Sequence, residues 1–139
     1  MDMDLEIVEG ISQQDEDIIL DKLKAFNIEC FGASDRRELA IPLRDTAGDI
    51  AGGLVGYTGR GWLYISMLFI PELMRAKGLA ARLMTMAEAE AAKRGCIGAY
   101  IDTMNPAALA LYLKLGYHPI GKLEGLAGGH DVTWLEKRF

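Results

Sequence analysis

The sequence predicts a mixed α/β (α+β) domain with a central mixed sheet of six to seven strands flanked by helices. Three observations carry this. Short segments with an apolar period of two fill much of the first half of the chain, and that spacing marks strands with one face buried. An apolar stretch, Trp62 to Ile70, is followed by a helical pattern and then by a second apolar stretch, Ile97 to Thr103. A strand, helix and strand of these lengths suit a right-handed parallel crossover. A further helix, opened by Asn105-Pro106, precedes two more strand-like segments.

In chain order, Met3, Leu5 and Ile7 alternate with Asp4 and Glu6 and predict a first strand. Ser12 followed by Asp15 resembles a capping box, with Asp in place of Glu or Gln. Ile19, Leu23 and Phe26 then set a helix over 13–27. Residues 29–37 carry no clear pattern and read as a loop or a short second helix. Leu39, Ile41 and Leu43 alternate again, and Pro42, which has no amide proton to donate, predicts an edge or bulged strand. Asp45 to Asp49 has turn composition. Ile50 to Thr58 reads as a strand in which Gly52, Gly53 and Gly56 mark bulges or close backbone approach, and Gly59-Arg60-Gly61 closes a hairpin.

Trp62 to Ile70 is apolar on both faces. Trp62, Tyr64 and Leu68 fall on one side and Leu63, Ile65, Met67 and Phe69 on the other, predicting a central strand covered on both sides. Beyond Pro71, Leu79, Leu83 and Met86 share a helical stripe that Gly95 ends. Asn105 is placed as an N-cap and Pro106 at the first helical position. Leu109, Tyr112 and Leu113 share that helix's face, and Gly116 ends it. Tyr117 to Leu123 and Val132 to Glu136 read as strands joined by a Gly-rich loop. The predicted order is β-α-β-β-β-α-β-α-β-β.

Composition bounds the function. The 139 residues fit one domain, 1–139, and half are hydrophobic. A net charge of −5 without a basic stripe disfavours nucleic acid and fits a cationic substrate better. Cys30 and Cys96 stand apart, in no CxxC or His-rich cluster, and read as thiols in a reducing compartment. The acidic start is unlike a secretory signal, and no apolar run approaches the ~20 residues of a membrane span, so a cytoplasmic protein is expected.

The chemistry gathers at Arg75-Ala76-Lys77-Gly78-Leu79-Ala80, where a strand feeds a basic, small-residue turn that opens a helix. Free amide groups and the positive end of the helix dipole there point the same way, making an anion site. Gly78 lets a ligand approach the backbone, Ala80 is small, and Arg75, Lys77 and Arg82 add charge. The Gly-Lys-Ser/Thr ending of a nucleotide P-loop is absent. Gly56, Gly59 and Gly61 lie between two strands, whereas a dinucleotide fingerprint needs a strand-to-helix turn.

Together with the later run Asn105-Pro106-Ala107-Ala108-Leu109-Ala110-Leu111-Tyr112-Leu113-Lys114-Leu115-Gly116-Tyr117, this turn resembles the GNAT superfamily of acetyl-CoA-dependent N-acetyltransferases. Arg75-x-x-Gly78-x-Ala80 is similar to that family's pyrophosphate loop, Q/R-x-x-G-x-G/A, and the Asn105 to Tyr117 run to its second acetyl-CoA motif. The resemblance spans essentially the whole chain and implies the GNAT fold. It also implies that the backbone of Leu68, Phe69 and Ile70 pairs with the pantetheine arm like an added strand. Backbone amides of Arg75, Ala76, Lys77, Gly78, Leu79 and Ala80 would then hold the pyrophosphate. Asn105 would touch the pantetheine arm or cap its helix, and Tyr112 would lie near the thioester sulfur.

The implied activity is direct transfer of acetyl from acetyl-CoA, a co-substrate, to a primary amine of a small molecule or peptide, with no metal. A non-catalytic acyl-CoA-binding module on the same fold is the competing expectation, and a homodimer suits such a domain. The ammonium, with a pKa of ~10.4 for a lysine-like group, must lose a proton, so a base or a water chain to one is required. Tyr112 is the expected donor to the departing thiolate, and main-chain amides of the central strand could polarise the carbonyl. No base is evident. The central strand offers only Ser66. Glu29, Asp45 and Asp102 qualify by residue type and not by spacing, with Asp102 expected as a strand-end cap or a structural acceptor, and His118 and His130 read as structural or surface residues. The acceptor edge is expected at 29–37, the Asp45 turn and 125–130.

Overall fold

The structure, a computed structural model, describes residues 3–139. It divides into two compact units, residues 3–34 within the first and Asp35–Phe139 as the second. The first unit holds one helix, α1 (Gln13–Phe31). Ser12 caps it by accepting the Asp15 amide at 3.1 Å, and Gly32, at φ 79°, ends it. The helix therefore runs four residues past the predicted end at Asn27, taking in the first three residues, 29–31, of the segment expected to be a loop or a short second helix. The predicted strand at Met3, Leu5 and Ile7 does not form. All three are exposed and pair with nothing. Alternation gives a strand only where a neighbouring edge supplies its hydrogen bonds.

The second unit is a six-stranded sheet in the order β1-β2-β3-β4-β6-β5. Strands β1 (Arg37–Arg44), β2 (Ile50–Gly59) and β3 (Trp62–Phe69) form an antiparallel meander. A 3₁₀ turn, Glu72–Met74, and helix α2 (Leu79–Lys93) lead to β4 (Gly98–Thr103), which pairs with β3 in parallel. Helix α3 (Pro106–Lys114) follows, then β5 (His118–Leu126) and β6 (His130–Arg138). β6 inserts between β4 and β5, antiparallel to both. β1 is an edge strand, as Pro42 predicted.

Leu83, Met84, Ala87 and Ala91 of α2 pack on Leu39, Leu54, Leu63, Ile65, Ala99, Ile101 and Leu135 of the sheet, all buried. Alanines along this stripe let the helix sit close to the strands. Arg94, just past α2, donates to the carbonyls of Arg37 and Glu38 and to Thr58 Oγ1, tying the helix end to β1 and β2. Glu88 of α2 accepts from Tyr117 Oη at 2.9 Å and from Lys137 Nζ at 2.8 Å. The opposite sheet face carries Tyr57, Trp62, Tyr64 and Tyr100, half-buried.

That face shows where β3 departs from expectation. Gly56 pairs with Ile65 but Val55 pairs with Met67, so Ser66 is an extra residue in β3. This bulge inverts the alternation. Leu68 lies opposite the buried Leu54 and joins the core side, while Met67 pairs with Val55 on the other face and is 61% exposed. A strict period of two had placed Leu68 with Trp62 and Tyr64. The strand is central, but only its Leu63 and Ile65 side is sealed.

Candidate active site

β3 and β4 are paired from Trp62 with Gly98 to Ile65 with Ile101, and no further. The ladder stops at the Ser66 bulge, and the two strands part. Between them opens a cleft of about 530 Å³, whose lining includes Ser66, Leu68, Phe69, Asp102, Asn105 and Tyr112. Two glycines shape the bulged region. A Cβ on Gly56 would stand 2.2 Å from the Tyr64 carbonyl oxygen, and one on Gly52 would stand 2.4 Å from that of Phe69. The backbones are too close there for any side chain.

Past the cleft, the basic turn adopts the conformation its residues allow. Gly78 caps α2 with φ 70°, and Ala76 is also left-handed, at φ 62°. A positive φ is uncommon outside glycine and marks a backbone held by its surroundings. Arg75 Nε donates to the Ile70 carbonyl at 2.9 Å, folding the turn back onto the end of β3. The first helical bond is donated by Arg82 N to Gly78 O. The amides of Leu79, Ala80 and Ala81 therefore have no acceptor within the helix, and they carry the positive end of its dipole. These three residues line a largely apolar recess of about 270 Å³ with Ile70, Met74 and Leu111.

Asn105 caps α3. Its Oδ1 accepts from Ala107 N at 2.8 Å and, more weakly, from Ala108 N at 3.4 Å. The cap starts the helix that carries Tyr112. The Tyr112 ring is buried near that of Tyr117, 6.3 Å between centroids. Its hydroxyl has no hydrogen-bond partner among the described residues, and it lies along the cleft. Burial, and then the charge of Asp102, raises the Tyr112 pKa, so its proton is retained at neutral pH.

Of the two roles expected for Asp102, strand-end cap and structural acceptor, it takes the second. Tyr64 Oη donates to its Oδ1 at 2.7 Å, and its carboxylate lines the same cleft as Tyr112. This hydrogen bond, followed by burial, pushes the Tyr64 pKa up to about 12. The available signal was positional: Asp102 follows the last residue of β4 paired with β3. The other carboxylates play different parts. Asp45 closes the β1–β2 turn by accepting the Ala47 and Asp49 amides, and Glu29 belongs to α1. His118 and His130 are exposed on β5 and β6.

The family's sequence profile, described as Acetyltransferase (GNAT) family, matches residues 7–117. The chain belongs to the GNAT acetyltransferase family. It is 55% identical over 124 residues to an acetyltransferase of Agrobacterium fabrum, covering 89% of this chain and 90% of that one. A crystal structure from Agrobacterium tumefaciens, described as that of an acetyltransferase, superimposes with a TM-score of 0.95 at 50% identity, over 99% of this chain and all of that one. The fold is also shared with a Bacillus anthracis protein, described as a streptothricin acetyltransferase and solved with acetyl coenzyme A. That match has a TM-score of 0.59 and 23% identity, over 66% of this chain and 57% of the other. This GNAT chain is thus an enzyme of the N-acetyltransferase type. No helix among the described residues is long and apolar enough to cross a membrane, and no group of His, Cys, Asp and Glu among them could hold a metal ion.

Proposed function

We propose that this enzyme moves an acetyl group directly from acetyl-CoA to a primary amine within the cleft between β3 and β4. The observation that carries the reading is the halt of the β3–β4 ladder at the bulge, with Tyr112 beside the gap and the bare amides of α2 beyond it. The β3 edge at Leu68 and Phe69, unpaired on the cleft side, with Ile70 just past it, suits a pantetheine arm, which carries amides able to bond as an added strand would. The turn Arg75, Ala76, Lys77, Gly78, Leu79 and Ala80 suits the pyrophosphate. Asn105 caps α3 and borders the arm's path. A fold neighbour that binds acetyl-CoA is consistent with this assignment.

The steps follow from the groups present. A neutral amine attacks the thioester carbonyl, main-chain amides of β3 steady the oxyanion, and the C–S bond breaks. Tyr112 donates its proton to the sulfur. The nitrogen's second proton then restores the tyrosine. Holding both reactants in one cleft supplies much of the rate. The family match, running from residue 7 to 117, supports treating 1–139 as a single N-acetyltransferase domain. The reading extends to a cytoplasmic enzyme that binds neither nucleic acid nor membrane and works as a homodimer. The dimer is supported by α1, which buries none of its residues.

The test is thiol release from acetyl-CoA against a panel of small monoamines, polyamines, aminoglycosides and peptides with free N-termini. Turnover of at least one amine is expected. Tight acetyl-CoA binding with no turnover on any of them would overturn the reading in favour of a binding module.

A further inference from the structure

The sheet face away from α2 has a feature that the transfer reaction above leaves unused. Asp102 stands on that face, at the mouth of the cleft, among aromatic rings. Tyr64 donates to its Oδ1, and Trp134 of β6 is its direct cross-strand partner. Tyr100 lies two residues back on the same face and stacks on Tyr64, with centroids 4.8 Å apart and planes at 26°. The row continues to Tyr57, edge-on to Tyr64 at 5.6 Å, and to Trp62, edge-on to Tyr100 at 6.3 Å.

Cations of the protein already cover the outer rings. The Arg36 guanidinium lies 3.8 Å from the Tyr57 centroid, and that of Arg138 lies 5.1 Å from Trp62. No side-chain cation of the described residues lies over Tyr64, Tyr100 or Trp134, the rings nearest Asp102. The second carboxylate oxygen, Oδ2, has no hydrogen-bond partner among the described residues. A carboxylate with one oxygen open, walled by rings whose faces attract cations, fits an organic ammonium.

Resting on the amine-acetylation reading, we propose that this face is the acceptor site. Asp102 receives the acceptor's ammonium, and the Tyr64, Tyr100 and Trp134 wall takes a flat or alkyl body. The substrate class is a small primary monoamine with an apolar skeleton. The acceptor enters from this face, and Tyr112 stands on the α2 side, so the two substrates meet across the gap between β3 and β4.

The protons balance. The ammonium gives one proton to Asp102, which releases it to solvent, leaving a neutral amine. The C–N bond forms, the C–S bond breaks, and the nitrogen's next proton replaces the one that Tyr112 gave to sulfur. The net products are amide, free thiol and one proton. Tyr64 is a positioning residue, since it holds the carboxylate by one oxygen.

Two probes with the same aromatic body separate this role from a structural one. Benzylamine is protonated at neutral pH, whereas O-benzylhydroxylamine is already neutral. For Asp102→Asn, kcat/KM on benzylamine should fall at least about 100-fold. On O-benzylhydroxylamine it should fall far less, and acetyl-CoA affinity by calorimetry should hold. Trp134→Ala should raise KM for benzylamine about tenfold, the size of a desolvated ammonium–ring contact. Equal losses on both probes, or no loss, would overturn the role of Asp102. Should Asp102→Asn not fold, Tyr64→Phe answers the same question, because a selective loss on benzylamine supports the assignment and an equal effect overturns it. Wild-type turnover of other panel amines but not benzylamine would overturn the acceptor class and leave the amine reading standing. Turnover of no amine at all would overturn that reading itself.

Discussion

Tyr112 and Tyr64 are both tyrosines with raised pKa values, and their surroundings give them different work. Tyr112 is raised first by burial, it lines the cleft, and its hydroxyl has no hydrogen-bond partner among the described residues. Tyr112→Phe should lower kcat about 100-fold, the range of general acid catalysis, while acetyl-CoA affinity by calorimetry stays close to wild type. Tyr64 is raised first by its bond to Asp102. An unfolded tyrosine releases its proton near 10, while folded Tyr64 holds it to about 12. Its contribution to stability is therefore full below about pH 10 and is lost as pH rises towards 12. Urea unfolding measured across this window should show stability falling with pH, with a shallower fall in Tyr64→Phe. Tyr112 was legible from the sequence because a helix motif places it. The Tyr64–Asp102 bond spans 38 residues, and no local pattern encodes a contact of that range.

At the scale of elements, caps and turns were the most legible features. Ser12, Asn105-Pro106, Gly78 and Gly95 sit at helix ends as their chemistry requires. Asn105→Ala, which removes the acceptor for two amides, should cost about 1 kcal/mol in denaturant unfolding. Gly78→Ala forces a Cβ into the left-handed region and should cost about 1–2 kcal/mol. Open space surrounds that position, so the loss should come from the backbone and extend to weaker acetyl-CoA binding. The bulge at Ser66 was not legible. Periodicity cannot register an extra residue until the partner strand is known, and so Leu68 was assigned to the wrong face. The first strand failed for the opposite reason: its pattern was clear, but residues 3–8 pair with no other strand.

For the whole molecule, two features set stability and assembly. Glu88 is nearly buried between Tyr117 and Lys137 and links α2 to β6 and to the end of α3. Glu88→Ala leaves a half-buried ammonium unpaired and should cost about 2–3 kcal/mol, read as a lower denaturant midpoint. Helix α1 keeps Ile18, Ile19, Leu20, Leu23, Phe26 and Ile28 exposed. A helix in water gains most of its stability from packing an apolar face, so a second copy is the proposed cover. Sedimentation should show a dimer, and Leu23→Glu with Phe26→Glu should shift it towards monomer. Fold class could be read from local pattern. The proposed acceptor side could not, because it takes Tyr64 from β3, Tyr100 and Asp102 from β4 and Trp134 from β6.

The parted strands leave an edge of β3 inside the protein without a neighbour. Such an edge is a liability in an empty enzyme, since unpaired backbone invites other strands. In the proposed complex the thioester's arm fills it and is part of the sheet for as long as it stays bound. Stability then becomes a gauge of occupancy, and ligand at 100 times its Kd adds about 2.7 kcal/mol. Those amides of 67–70 that point away from β2 should exchange fast in the free enzyme and slowly once acetyl-CoA is added, so a cell's acetyl-CoA supply would govern how long this enzyme survives in it.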